Sequence, residues 1–213
     1  MTRTGLLGGS FNPAHRGHRR VTLFAAEALG LDESWWLVSP GNPLKPAKGM
    51  APLPARIASA RKASRRAPIR VTAIERQLDM RYTIDTLRAL RRLYPKRRFI
   101  WLMGADNLAQ FHRWKDWRKI ATVVPIAVIA RPGYDGAARA ARAMGWLRRF
   151  VRPVAEAKQC TKWRTPALVF LRLPPDPTSA TSLRAANPHW HQKCGNSFNP
   201  GAFRDGVTRR PIE

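Results

Sequence analysis

"GLLGGSFNPAHRGHRR", Gly5 to Arg20, begins as a short apolar run, ends that run in two glycines, a serine and a proline, and then presents two histidines three residues apart. The apolar run reads as a buried strand from Thr4 to Leu7, and His18 to Leu29 reads as the helix that follows. Between them, Gly8 and Gly9 stand where a backbone must turn sharply or approach a ligand closely, which glycine does without a Cβ clash. A helix starting near Gly17 points its free N–H groups and positive dipole end into the same space. An anion is welcome there. His15 and His18 add donors that can hydrogen-bond a phosphate, and a neighbouring phosphate favours their protonated form. A strand-to-helix turn with a satisfied histidine cap uses the same residues, so the stretch alone leaves both readings open.

Outward from this unit, short apolar runs keep alternating with amphipathic stretches. Strands are expected at Ser34 to Val38, Ile69 to Ile74, Phe99 to Met103, Ile126 to Ala130 and Leu168 to Leu171. Helices are expected at Pro54 to Arg65, Thr83 to Leu93, Asn107 to Ile120 with a break near His112, and Gly136 to Phe150. Strands apolar on both faces and separated by helices imply a parallel sheet covered on both sides, a doubly wound α/β fold. Ligands of such folds sit beyond the carboxyl ends of the strands, where the strand order reverses. Residues Gly8 to His18, "SPGNPLKPAKG", "GADN" and "ARPG" each follow a strand. The Pro-, Gly- and Lys-rich span Ser39 to Pro54 reads as a long loop over the site.

Composition narrows the function classes. A chain of 213 residues is long enough for one α/β domain with a sizeable core. No stretch approaches the roughly 18 apolar residues of a membrane span, and the amino terminus lacks a signal-peptide pattern, so a cytoplasmic protein is expected. Cys160 and Cys194 sit near no partner cysteine or histidine set with metal spacing, which supports neither a disulfide framework nor a zinc site. The balance of 39 Lys and Arg against 13 Asp and Glu, a formal net charge of +26, draws polyanions toward the chain. It has no block of consecutive basic residues with interleaved aromatics, so a solvated arginine-rich surface accounts for the charge as well as a nucleic-acid site does.

"GGSFNPAHRGH" resembles the signature of the HxGH-motif nucleotidyltransferases, and "TSATSLR", Thr178 to Arg184, is similar to their second motif, usually ISSTxIR. Here Thr178 replaces the usual Ile and Ala180 the usual hydroxyl residue, while Ser179, Thr181 and Arg184 fit. Three internal segments, "RYTIDTL" (Arg81 to Leu87), "MGADNLAQFHRW" (Met103 to Trp114) and "ARPG" (Ala130 to Gly133), are similar to segments of bacterial nicotinate-mononucleotide adenylyltransferases. The resemblance covers roughly Thr4 to Arg184. It implies a Rossmann-like nucleotidyltransferase fold, a single domain over residues 1–186, and transfer of the adenylyl group of ATP to nicotinic acid mononucleotide in NAD biosynthesis.

The resemblance further implies an ATP site of Gly8, Gly9, Ser10, Phe11, His15, His18, Gly104, Asp106, Ser179, Thr181 and Arg184, with His15, His18 and Arg184 catalytic. It implies a nicotinate-nucleotide site of Lys45, Tyr82, Thr83, Trp114 and Arg131. Lys45 could also reach the phosphates, and a solvated lysine accounts for it equally. Trp114 as core filling, and Thr83 as a helix cap, are the plain alternatives for those residues. The position after the tryptophan, often aromatic in the family, is Lys115. Magnesium is expected on the ATP phosphates, with no metal ligands from the protein. ATP and nicotinic acid mononucleotide are the expected partners, with no specific nucleic acid and no membrane, and self-association is compatible with the sequence. The alternatives are another phosphorylated acceptor, nicotinamide mononucleotide or phosphopantetheine, and a basic nucleic-acid-binding protein. Residues 187–213 show no helical or strand period, so a disordered tail that the fold can lose after Ala186 is expected.

Overall fold

The apolar runs form one sheet. A computed structural model describes residues 1–41, 49–130, 135–173, 180–195 and 204–212. Its strands are β1 (Thr2–Gly9), β2 (Glu33–Val38), β3 (Ile69–Thr72), β4 (Arg97–Gly104), β5 (Ile126–Ala130) and β6 (Leu168–Arg172). Their order is β3-β2-β1-β4-β5-β6, with β1–β4, β4–β5 and β5–β6 paired parallel. The helices are α1 (Arg16–Leu29), α2 (Leu53–Ser64), α3 (Ile74–Gln77), α4 (Thr83–Leu93), α5 (Ala105–Gln110), α6 (Trp117–Val123), α7 (Asp135–Arg139), α8 (Met144–Leu147), α9 (Ala180–Ala186) and α10 (Trp190–Gly195). The strand order reverses between β1 and β4, the switch point of a doubly wound sheet.

The sheet-forming chain divides into two compact units. Met1–Leu7, Val21–Ser34 and Tyr82–Pro175 make up the first. There β5 is buried along its whole length, as a parallel strand covered on both faces must be. Helix α4 buries Ile84, Leu87 and Leu90 and leaves Arg88, Arg91 and Arg92 in water, the helical period of an amphipathic face. Arg97 donates to the Thr4 hydroxyl at 3.0 Å and to Glu33, anchoring the start of β4. The continuous helix expected over Gly136 to Phe150 is instead α7, a turn, α8 and a 3₁₀ turn at Arg148–Phe150. Its buried residues Ala138, Ala141, Ala143, Met144 and Leu147 would spread around more than half the circumference of one helix, so the chain breaks to bury them all.

The second unit holds Gly8–Arg20, Trp35–Arg81 and Asp176–Glu213. The expectation of an unpacked tail is corrected here. Trp190 on α10 and Ile212 are buried, and Asp205 is fully buried. The Asp205 carboxylate accepts from the Thr72 hydroxyl and the Ala73 N–H with one oxygen, and from the N–H groups of Val207 and Thr208 with the other. Gly206 donates to the Val71 carbonyl at 3.0 Å, and a Cβ there would lie 2.6 Å from that oxygen. This turn docks on β3, the edge strand of the sheet, and explains why β3 stops at Thr72 rather than Ile74. With Ala73 held by Asp205, the Thr72 hydroxyl accepts the Ile74 N–H as α3 begins. The tail's packing has no period in the sequence because its described contacts lie in one short turn and one helix of six residues.

Candidate active site

In the second unit, α1 starts at Arg16, two residues before the expected start, and the histidines are the reason. His15 stands at the N-cap position. Its carbonyl accepts the His18 N–H at 3.0 Å, and its Nδ1 accepts the Gly17 N–H at 3.1 Å. The Nδ1 of His18 accepts the His15 N–H in return at 3.2 Å. This varies the reciprocal arrangement of a capping box: histidines stand where Ser and Glu usually do, and the cap takes the second helical N–H rather than the third. A ring nitrogen that accepts an N–H carries no proton, so both neutral rings hold theirs on Nε2. The anion-site and cap readings left open by the sequence are thus compatible: the helix start uses Nδ1 and leaves the ring proton on Nε2.

The ring centroids of His15 and His18 are 3.9 Å apart, and His15 is 8% exposed. Phe11 is buried and stacks on Trp36 at 4.9 Å, with His18 at 5.0 Å on the same ring. This packing holds Phe11 at φ 47°, a left-handed conformation that costs a bulky residue about 1–3 kcal/mol. Gly9 passes close enough that a Cβ would lie 3.3 Å from the Phe11 ring. The second motif reaches the same turn: Arg184 on α9 donates to the Asn12 carbonyl at 2.7 Å and to the Thr181 hydroxyl at 3.3 Å. Ser179 and Lys45 lie outside the described residues.

Two residues here were not singled out from the sequence. The Asn12 amide donates to the Gly49 carbonyl at 2.8 Å, and its oxygen accepts the Ala51 N–H at 3.2 Å. Arg56, 1% exposed on α2, donates to the carbonyls of Ser10 (2.9 Å), Ser39 (2.6 Å), Pro40 (3.2 Å) and Ala51 (2.9 Å). Burial lowers its pKa to about 10, which leaves it cationic at neutral pH. Its only sequence signal was an arginine between apolar positions in "LPARIASA", which an arginine-rich chain conceals.

In the first unit, Tyr82 is the N-cap of α4 and its carbonyl accepts the N–H groups of Asp85 and Thr86. Thr83 is therefore the first helical residue rather than the cap, and the N–H groups of Thr83 and Ile84 have no intrahelical acceptor. Trp114, half-buried, follows the 3₁₀ turn Phe111–Arg113 and is held edge-on by Phe111 at 5.4 Å and by Trp101 at 6.3 Å. Lys115 lies 4.4 Å over the Tyr82 ring and pairs with Asp85 at 3.5 Å. Gly104 caps α5, and a Cβ there would meet the Asp106 carboxylate at 2.3 Å, so the glycine makes room for that side chain at the helix start. Arg131 lies outside the described residues.

The cytidylyltransferase-like family model matches residues 6–186. The chain belongs to that family. It is 61% identical over 210 residues to a probable nicotinate-nucleotide adenylyltransferase of Erythrobacter litoralis, covering 99% of this chain and 94% of the relative. A second so described, from Parvibaculum lavamentivorans, is 51% identical over 182 residues, 85% of this chain and 90% of the relative. Within the cytidylyltransferase-like family, the chain is thus a member of the nicotinate-nucleotide adenylyltransferase group. Among solved structures, the fold is similar to that of Plasmodium falciparum nicotinic acid mononucleotide adenylyltransferase complexed with NaAD, with a TM-score of 0.64 at 15% identity, covering 87% of this chain and 83% of that one.

Proposed function

We infer that the chain transfers the adenylyl group of ATP to nicotinic acid mononucleotide, releasing pyrophosphate. The observation that carries this is the meeting of the two motifs in one unit, with the His15–His18 capping box, the Phe11 turn and Arg184 gathered around the same few residues. In this reading a phosphate oxygen of the acceptor attacks the α-phosphorus of ATP, a P–O bond forms, and the bond to the β-phosphate oxygen breaks. The nucleophile is already an anion, so a general base adds little and positioning with charge stabilisation supplies the acceleration. The Nε2–H groups of His15 and His18 serve as donors to the developing charge, and Arg184 serves the departing phosphates.

A protein-built metal cage does not fit these residues. Both histidine Nδ1 atoms are occupied by backbone N–H groups, and among the described residues no group of three or more His, Cys, Asp and Glu can hold a metal ion. Magnesium fits as an ion carried by the triphosphate and its waters, where it would offset part of the phosphate charge. Among the described residues no helix is long and apolar enough to cross a membrane; a cytoplasmic setting belongs to the same reading.

For the acceptor, the N–H groups of Thr83 and Ile84, which have no intrahelical acceptor, favour a carboxylate, and Trp114 offers the ring a face to stack on. A nicotinamide would turn its NH₂ donors toward those donors, a mismatch worth roughly 10²-fold or more in kcat/KM. Pyrophosphate release with ATP, magnesium and a panel of acceptors tests this. Nicotinic acid mononucleotide should lead nicotinamide mononucleotide and phosphopantetheine by that margin. Equal use of acid and amide would remove the nicotinate assignment and leave the adenylyl chemistry standing.

A further inference from the structure

We propose that Arg56 is a positioning residue for adenylyl transfer, fixing the peptide between Ser10 and Phe11 so that the Phe11 N–H faces the ATP phosphates. The proposal rests on the adenylyltransferase reading and adds to it a residue that neither motif contains.

A buried guanidinium is an expensive way to fill space, since an apolar side chain of similar length packs as well without desolvating a charge. Arg56 is fully buried, and its described partners are four backbone carbonyls, with no carboxylate among them. Those carbonyls belong to three separate segments: Ser10 follows β1, Ser39 and Pro40 follow β2, and Ala51 precedes α2. The fork geometry of guanidinium, with N–H groups fixed in one plane, sets all three at once, which the single ammonium of lysine cannot do.

The bond to Ser10 has a directional consequence. In a trans peptide the C=O and the next N–H point to opposite sides, so a donor fixed on the Ser10 carbonyl turns the Phe11 N–H away from Arg56. Phe11 holds the left-handed φ of 47°, which an L side chain leaves readily unless its neighbours oppose the rotation. Trp36 holds its ring and Arg56 holds the peptide before it. The direction of one N–H in the phosphate turn is thereby set from the helix behind it.

The test uses the full chain with Arg56→Lys, which keeps the cation without the fork, and Arg56→Met, which removes the charge at similar length. Thermal melting reports folding, and calorimetric titration with ATP and magnesium, without acceptor, reports the site independently of turnover. Both variants should fold. Arg56→Lys should bind ATP at least about tenfold more weakly, and Arg56→Met more weakly still, the scale of losing one hydrogen bond to a charged group. A folded variant with wild-type ATP affinity overturns the proposal, even if it melts at a lower temperature. Failure of both variants to fold overturns it too, by making Arg56 a requirement of the fold. The underlying reading fails by a different result: wild-type chain that binds ATP but releases no pyrophosphate with nicotinic acid mononucleotide. Wild-type chain that binds no ATP overturns both.

Discussion

His18 carries two duties on one ring, and they separate by atom. Its Nδ1 accepts the His15 N–H at the start of α1, a contact typically worth about 1 kcal/mol to the helix, while its Nε2–H is the proposed donor to charge that develops on the phosphates. The second contribution exists only in the transition state, so losing it should lower turnover far more than it lowers stability. His18→Ala should cut kcat by roughly 10²-fold or more, the scale of losing one preorganised donor, with a circular dichroism spectrum like that of the wild type. Near-normal turnover would remove His18 from the chemistry. The HxGH spacing made both histidines legible in the sequence as candidates. Their tautomers were not legible, because these depend on which backbone N–H each Nδ1 meets after folding.

At the level of elements, the turn carrying Asp205 and Gly206 determines how the edge strand β3 is finished. Four donors converge on the fully buried Asp205 carboxylate, those of Thr72, Ala73, Val207 and Thr208. Asp205→Ala would leave buried donors without an acceptor, at a cost of about 3 kcal/mol, which for a chain of this size lowers Tm by about 6–12 °C. A chain ending at Ala186 loses this turn and the buried Trp190 together, so it should show a still lower Tm or expression in insoluble form. A truncated chain melting like the full one would mean that the turn contributes nothing to the fold. The central elements were legible because each signals locally: apolar runs gave the strands, the period of α4 gave its buried face, and the break expected near His112 is the 3₁₀ turn Phe111–Arg113. The Asp205–Gly206 pair signals a turn locally, but nothing in it signals that the turn docks on β3.

For the whole molecule, a formal charge of +26 raises the question of what the field is for. A mononucleotide enzyme needs only a few phosphate contacts, whereas a nucleic-acid binder distributes many, and salt separates the two. Pyrophosphate release at saturating substrate should fall by less than about threefold between 50 and 200 mM salt, whereas a protein making six or more phosphate contacts loses roughly 10³-fold in affinity. A collapse of turnover over that range would show that the mononucleotide reaction itself depends on the field. The sequence by itself determined the parallel α/β class, the two histidines as candidates, and the family, because hydrophobic period and motif spacing act over a few neighbouring residues. Only the tertiary structure decided that Arg184 reaches the Asn12 carbonyl, that Arg56 binds four carbonyls of three segments, and that the last residues complete the edge strand. Those contacts join residues far apart in the chain, and a side chain's charge or hydrogen-bonding capacity does not specify its partner until backbone folding has brought one within reach.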